Sequence, residues 1–194
     1  TRIQGGKDSA SPRYIHTELN NVTQHLFHCD DNFVLDYLED DGLKIEPQFY
    51  MPIIPMILVN GSIGIGTGFS TNIPCYNPKD IISCLRKLMN DEEIDEISPW
   101  YKGFTGTNID GVSKGKYNKL TNTKVEITEL PIGFWTEDFK HHIENYMEKN
   151  PKTLKDYESH YTEHTVKFIL HFSSADILND MLKANDKGVT QLET

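Results

Sequence analysis

The stretch Val166-Lys-Phe-Ile-Leu-His-Phe172-Ser-Ser174-Ala-Asp-Ile-Leu-Asn-Asp-Met-Leu182 changes its apolar period half-way along. Val166, Phe168, Leu170 and Phe172 recur at every second residue, which puts four large side chains on one face of a strand. From Ser174 the period becomes helical: Ser174 is a suitable cap, and Ile177, Leu178, Met181 and Leu182 fall on one helix face. Upstream, Val125 and Ile127 alternate with polar residues as in a second strand. Between the two strands, Thr136-Glu137-Asp138 opens a helix whose inward side is Phe139, Ile143, Tyr146 and Met147. A further helix starts at Asn77-Pro78 and buries Ile81, Ile82, Leu85, Leu88 and Met89. These elements predict an α+β fold.

The first third reads differently. Residues 1–13 are small and polar, as in an exposed loop. Ile15, Leu19, Val22 and Leu26 predict a helix, and Phe33, Val34, Tyr37 and Leu38 predict a second one from about Asn32 to Asp40. Pro52 to Val59 is β-branched, apolar and interrupted by Pro52 and Pro55, which predicts extended chain. Asn60-Gly-Ser-Ile-Gly-Ile-Gly-Thr-Gly68 predicts a tight turn. The acidic run Asp91 to Glu96 reads as a solvated loop. The outline is a short helical module followed by a mixed module, divided near residues 52–60.

The chain has 194 residues, 37% hydrophobic and 25% charged, within the range of a folded protein of one or two domains. No apolar run approaches the roughly 18 residues of a membrane span. There is no signal-peptide pattern and no initiator Met, and the opening residues read as a continuation, so the chain is expected to be a piece of a longer protein. Cys29, Cys75 and Cys84 form no C-x-x-C pair and are odd in number, which argues for a reducing compartment and against a disulfide or zinc framework. The net charge of −10 argues against a polyanion as partner for the whole surface. The charge is uneven: residues 1–28 set Arg2, Lys7 and Arg13 against Asp8 and Glu18, whereas residues 29–56 set Lys44 against seven acids. Any basic surface is therefore local.

Four ordered segments carry a resemblance: Gly5-Gly6-Lys7-Asp8-Ser9-Ala10-Ser11-Pro12-Arg13-Tyr14, then Glu46-Pro47 with Tyr50 through Asn60-Gly61, then Gly64-Ile65-Gly66-Thr67-Gly68, and Ile127-Thr128-Glu129-Leu130-Pro131 with Trp135-Thr136. Together they resemble the breakage–reunion region of eukaryotic-type, type IIA DNA topoisomerases. Bacterial gyrase A subunits differ before the tyrosine. The stretch from Ile109 to Asn122 is shorter and less family-like than the rest. The resemblance implies that residues 1–56 are the last part of a winged-helix domain and residues 57–194 part of an α/β tower domain. It implies double-stranded DNA as partner, a homodimeric, ATP-dependent parent enzyme and a nuclear location. It places Mg²⁺ in a toprim domain and ATP in an ATPase domain, both outside this chain, so the chain alone is expected to be inactive. Asp8 and Glu18 are not expected to be metal ligands.

By the same resemblance Tyr14 is the nucleophile. A phenol displacing a sugar oxygen stores the energy of a broken phosphodiester as phosphotyrosine. A free tyrosine titrates near about 10, so it needs a cation or base beside it. Arg13 is adjacent, keeps its charge and offers several donors to a crowded phosphate. Arg2 and Lys7, in a Gly-rich loop, suit phosphate contacts that position without reading sequence. Ile65, between Gly64 and Gly66, is badly placed for a core and well placed to wedge between base pairs.

Three rival readings are weaker. Gly61 to Gly68 lacks the lysine of a P-loop, and Phe69 stands where G-x-G-x-x-G needs glycine. His160-Tyr-Thr-Glu-His164 matches H-x-x-E-H, but it runs straight into a strand and lacks a third ligand. A DNA-binding module that has lost cleavage would not need both Arg13 and Tyr14.

Overall fold

A computed structural model describes residues 1–109 and 111–183. In chain order its regular elements are α1 (Thr23–Leu26), β1 (Tyr37–Asp40), β2 (Leu43–Pro47), α2 (Met56–Asn60), β3 (Ser62–Ile65), β4 (Ser70–Ile73), α3 (Pro78–Met89), β5 (Thr107–Ile109), β6 (Val112–Lys114), β7 (Lys116–Lys119), β8 (Lys124–Glu129), α4 (Thr136–Lys149), β9 (Leu154–Ser159), β10 (Phe168–Phe172) and α5 (Ala175–Met181). The fold is α+β. It divides into two compact units, one made of Thr1–Tyr14 with residues from Lys102 onward, the other of Ile15–Tyr101. The division expected near residues 52–60 does not coincide with either junction, and residues 184–194 of the expected tower part lie outside the described residues.

In the first unit, β7, β8, β10 and β9 form one antiparallel sheet in that order. The register sets Phe168 opposite Ile127 and Leu170 opposite Val125, so the two alternating patterns lie side by side on one face. That face, with Phe172, packs against Ile143 of α4 and Leu178 of α5. Phe139 meets Phe168 edge-on, with ring centroids 5.0 Å apart. α5 is capped as its sequence predicts, Ser174 Oγ accepting from the Ile177 N–H at 3.3 Å. On α4 and β9, the Tyr157 hydroxyl donates to Glu144 at 2.7 Å.

In the second unit, α3 starts as expected, with Asn77 Oδ1 accepting from the Lys79 N–H and Pro78 in the first turn, but of its expected buried face Leu88 and Met89 at the last turn stay exposed. The glycine segment is a hairpin of β3 and β4, with Gly64 and Ile65 opposite Thr71 and Ser70. Three expectations fail here. The helix from Ile15 shrinks to Thr23–Leu26, because Asn20 forms its own turn: its side chain accepts from Val22 N–H and its carbonyl from Thr23 N–H. The helix to Asp40 is replaced by a 3-10 turn over Cys29–Phe33 and by the hairpin of β1 and β2. Asp41 and Gly42, both at positive φ, make its turn, and that Asp-Gly signal outweighs the helical spacing before it. Met56–Asn60 is helical rather than extended, starting directly after Pro55, whose fixed φ suits a helix entrance.

Phe168 lies at the centre of the core and is fully buried. Phe168→Ala should lower unfolding free energy by about 3–5 kcal/mol in denaturant titrations of a folded parent protein. Desolvation, reinforced by the hydrogen bond to Glu144, raises the Tyr157 pKa to about 12. The neutral phenol is the stabilised form, so its contribution is complete below about pH 10 and is lost as pH rises through about 12. Alkaline absorbance titration should show a tyrosine ionising at about pH 12 whose step disappears in Tyr157→Phe.

Candidate active-site segment

Tyr14 ends a 3-10 turn, Pro12–Tyr14, closed by its N–H donating to the Ser11 carbonyl at 2.9 Å. Pro12 fixes φ at the start of this turn. The tyrosine is 74% exposed and Arg13 beside it is exposed as well, so the phenol and the guanidinium face solvent together. From Gly6 to Tyr14 every residue is exposed.

The residues before Gly6 are held very differently. Arg2 forms an ion pair with Glu129, the last residue of β8. Glu129 is only 2% exposed, and its other bonds are complete. Oε2 accepts from the N–H and the hydroxyl of Thr105, both at 3.0 Å, and Oε1 accepts from the Leu130 N–H at 3.0 Å. Partial burial lowers the Arg2 pKa from its usual value. Such a shift leaves an arginine charged.

The same segment caps α4. That helix has no side-chain cap at its N-terminus. Its first N–H groups find main-chain acceptors instead: Thr136 N–H and Oγ1 donate to the Arg2 carbonyl at 3.4 Å, and Glu137 N–H donates to the Ile3 carbonyl at 3.1 Å. Lys7 Nζ stands 3.5 Å from Asp138 in the first turn of α4. Gly5 sits at φ +65° against the Trp135 ring, and a Cβ there would fall inside the indole. Gly6 is also left-handed but faces open space.

Of the five residues singled out by sequence, Arg2, Lys7, Arg13 and Tyr14 lie in the first unit and Ile65 in the second. Ile65 is 96% exposed at the end of β3, beside a turn in which Gly66 N–H donates to the Phe69 carbonyl at 3.0 Å. The geometry gives Arg2 a different part from the phosphate contact expected of it, because its guanidinium is committed to a buried carboxylate. Lys7 remains exposed and only loosely paired. Glu129, Trp135 and Thr136 were visible as family-like residues, but their contact with the segment of Tyr14 was not. One signal did exist. The alternation of Val125 and Ile127 extends to Glu129, which puts an acid on the core face and calls for a cation.

Among the described residues the one grouping of three metal donors is His28, Cys29 and Asp30, all exposed, and it includes no residue of the Tyr14 segment. Asp8 accepts from Thr1, at 2.5 Å from its hydroxyl, and the H-x-x-E-H residues lie outside any helix, with His160 on Glu158. The described cysteines are free, and no described helix is long and apolar enough to cross a membrane.

Comparison with known proteins gives the family. A family model for the A subunit of DNA gyrase/topoisomerase IV matches residues 1–194. DNA topoisomerase 2 of Drosophila melanogaster is 44% identical over 186 residues, 91% of this chain and 13% of that protein. DNA topoisomerase 2 of Arabidopsis thaliana is 45% identical over 198 residues, covering 97% of this chain and 13% of that protein. A crystal structure of the Plasmodium falciparum topoisomerase II DNA-binding, cleavage and re-ligation domain superimposes with a TM-score of 0.83 at 41% identity, over 92% of this chain and 25% of that one. The chain thus spans about an eighth of the length of these full-length relatives.

Gly5→Ala should destabilise the first unit by about 2 kcal/mol or more, since strain and collision combine. Gly6→Ala, which meets strain alone, should cost about 1 kcal/mol. Denaturant midpoints of the two variants measure the difference, and equal midpoints would remove the Trp135 contact from the account. With Arg2, Ile3 and Gly5 docked on the Glu129–Glu137 segment, and with its match along the full length, the chain belongs to the family of DNA gyrase/topoisomerase IV A subunits, on the branch of the eukaryotic topoisomerase II enzymes.

Proposed function

We propose that this chain is the DNA-breaking segment of an ATP-dependent type II topoisomerase, and that Tyr14 is its nucleophile. The observation that carries the reading is the exposure of Tyr14 beside an exposed Arg13, on a turn that leaves the hydroxyl open to a large substrate. The Tyr14 oxygen bonds to a DNA phosphorus and the bond from that phosphorus to O3′ breaks. The phenolic proton leaves to solvent and the departing O3′ gains one, giving a 5′-phosphotyrosyl link and a free 3′ end. The reverse step reseals the strand. Arg13 donates to the non-bridging oxygens, whose charge is most concentrated in the crowded intermediate state.

In a homodimer, two Tyr14 residues cut both strands and a second duplex passes through. Mg²⁺ and ATP belong to the toprim and ATPase domains of the parent protein, and the nucleus is its location. Residues 1–56 and 57–194 are read as winged-helix and tower parts. Lys7 supplies a phosphate contact, and Ile65 unstacks a base step and bends the duplex, for which its exposure suits it.

In the full-length protein, Tyr14→Phe should abolish covalent DNA–protein adducts, a loss of at least about 10⁴-fold, while DNA affinity changes less than threefold. A variant that still forms adducts removes Tyr14 from the chemistry. Ile65→Ala should reduce DNA bending, read by energy transfer between duplex ends, without removing adduct formation.

A further inference from the structure

We propose that Glu129 is a positioning residue for Tyr14, acting through Arg2; the inference rests on the reading of Tyr14 as nucleophile. Tyr14 and Glu129 are far apart in sequence, and the link between them is the short segment Thr1–Gly5. At its anchored end this segment meets four independent constraints. The Arg2 guanidinium pairs with the buried Glu129 carboxylate, the Arg2 and Ile3 carbonyls cap α4, and Gly5 lies flat on Trp135. Beyond Gly5 the constraints thin out. The main chain closes only local turns, Lys7 N–H to the Gln4 carbonyl, Ser9 N–H to the Gly6 carbonyl and Tyr14 N–H to the Ser11 carbonyl, and the side-chain contacts of this stretch among the described residues are exposed ones, Asp8 with Thr1 and Lys7 with Asp138.

The place of the phenol is therefore set by where the segment is anchored, and the anchor turns on Glu129. Its carboxylate is saturated by Thr105, Leu130 and Arg2, so it holds one geometry. Arg2 is fixed at both ends, by its guanidinium on Glu129 and by its carbonyl on Thr136, which orients the peptide leading toward Tyr14. Because an in-line attack tolerates little error, a displacement of about 1 Å is enough to slow it about 10²-fold. A role of this kind affects the chemical step and leaves binding alone, since the Glu129 side chain is buried and its carboxylate is taken up by protein donors.

The test uses the full-length protein in single-turnover cleavage with Mg²⁺, beside DNA affinity and thermal melting. Glu129→Gln keeps the shape and removes the charge. It should slow adduct formation about 10- to 100-fold at saturating DNA, with affinity within threefold of the unsubstituted protein. The double variant Arg2→Gln with Glu129→Gln, which restores a neutral hydrogen-bonded pair, should recover at least a third of the lost rate. Should Glu129→Gln fail to fold, Arg2→Lys serves: it keeps the charge balance but loses the planar fork, and should slow cleavage about fivefold with affinity intact. Glu129→Gln at an unchanged rate, or a rate loss matched by an equal loss of affinity, or, where the substitute is used, Arg2→Lys at an unchanged rate, would overturn the proposal. Tyr14→Phe in the same assay separates the two readings. If it still forms adducts the nucleophile is wrong, whereas if it does not and Glu129→Gln cleaves normally only the positioning role fails.

Discussion

A carboxylate cannot be taken out of water without a cation and a full set of donors, and Glu129 has both. The cation comes from Arg2, at the opposite end of the chain. That one requirement joins the exposed segment of Tyr14 to the sheet and helix that form the main core. The α4 N-terminus adds a second requirement of the same kind, because helical N–H groups without a cap need acceptors, and the carbonyls of Arg2 and Ile3 supply them. Two unmet polar demands in the second half of the chain are thus answered by one stretch of five residues.

The result is a division of labour along a short peptide. Residues 2–5 are half-buried and anchored by several bonds, while those from Gly6 onward are exposed and held mainly by local turns. On the proposed reading the nucleophile must meet a large, stiff substrate and so needs exposure, and must attack along a fixed line and so needs restraint. Placing the restraint a few residues upstream of the tyrosine satisfies both. The Gly5–Gly6 pair sits where the two regimes meet, and the two glycines differ in kind. Gly5 is needed for the close approach of Trp135 and for its backbone angle, Gly6 for its backbone angle alone.

Legibility in the sequence followed the source of each element's stability. Where an apolar pattern meets a core within the chain, as in β8, β10, α4 and α5, period and caps were sufficient. The Gly signals announced a turn but not the strands β3 and β4 on either side of it, and Asn-Pro marked the start of α3, since such signals act locally. The strands β5, β6, β7 and β9 carry no clean apolar alternation and were not legible, and the expectations that failed lie in residues 15–60, where large apolar side chains such as Leu19, Phe33, Val34 and Leu43 stay exposed. An amphipathic pattern makes a helix only when its face is covered, so spacing misled there, and the local rules of Asn20 and Asp41-Gly42 decided instead. Arg13, Tyr14 and Ile65 were singled out by resemblance, and the structure adds their exposure. Arg2 was assigned to DNA because a basic residue in a glycine-rich loop suggests it. Its real neighbour is more than a hundred residues away, and only the misplaced acid at the end of an alternating strand pointed to it.

The central claim is that a single exposed phenol carries the severed DNA strand. It is tested most directly by trapping the full-length protein on radiolabelled duplex with Mg²⁺, digesting it, and sequencing the labelled peptide. The account predicts label on the peptide Ser11-Pro-Arg-Tyr14, attached to the tyrosine oxygen. Label on any other residue contradicts it.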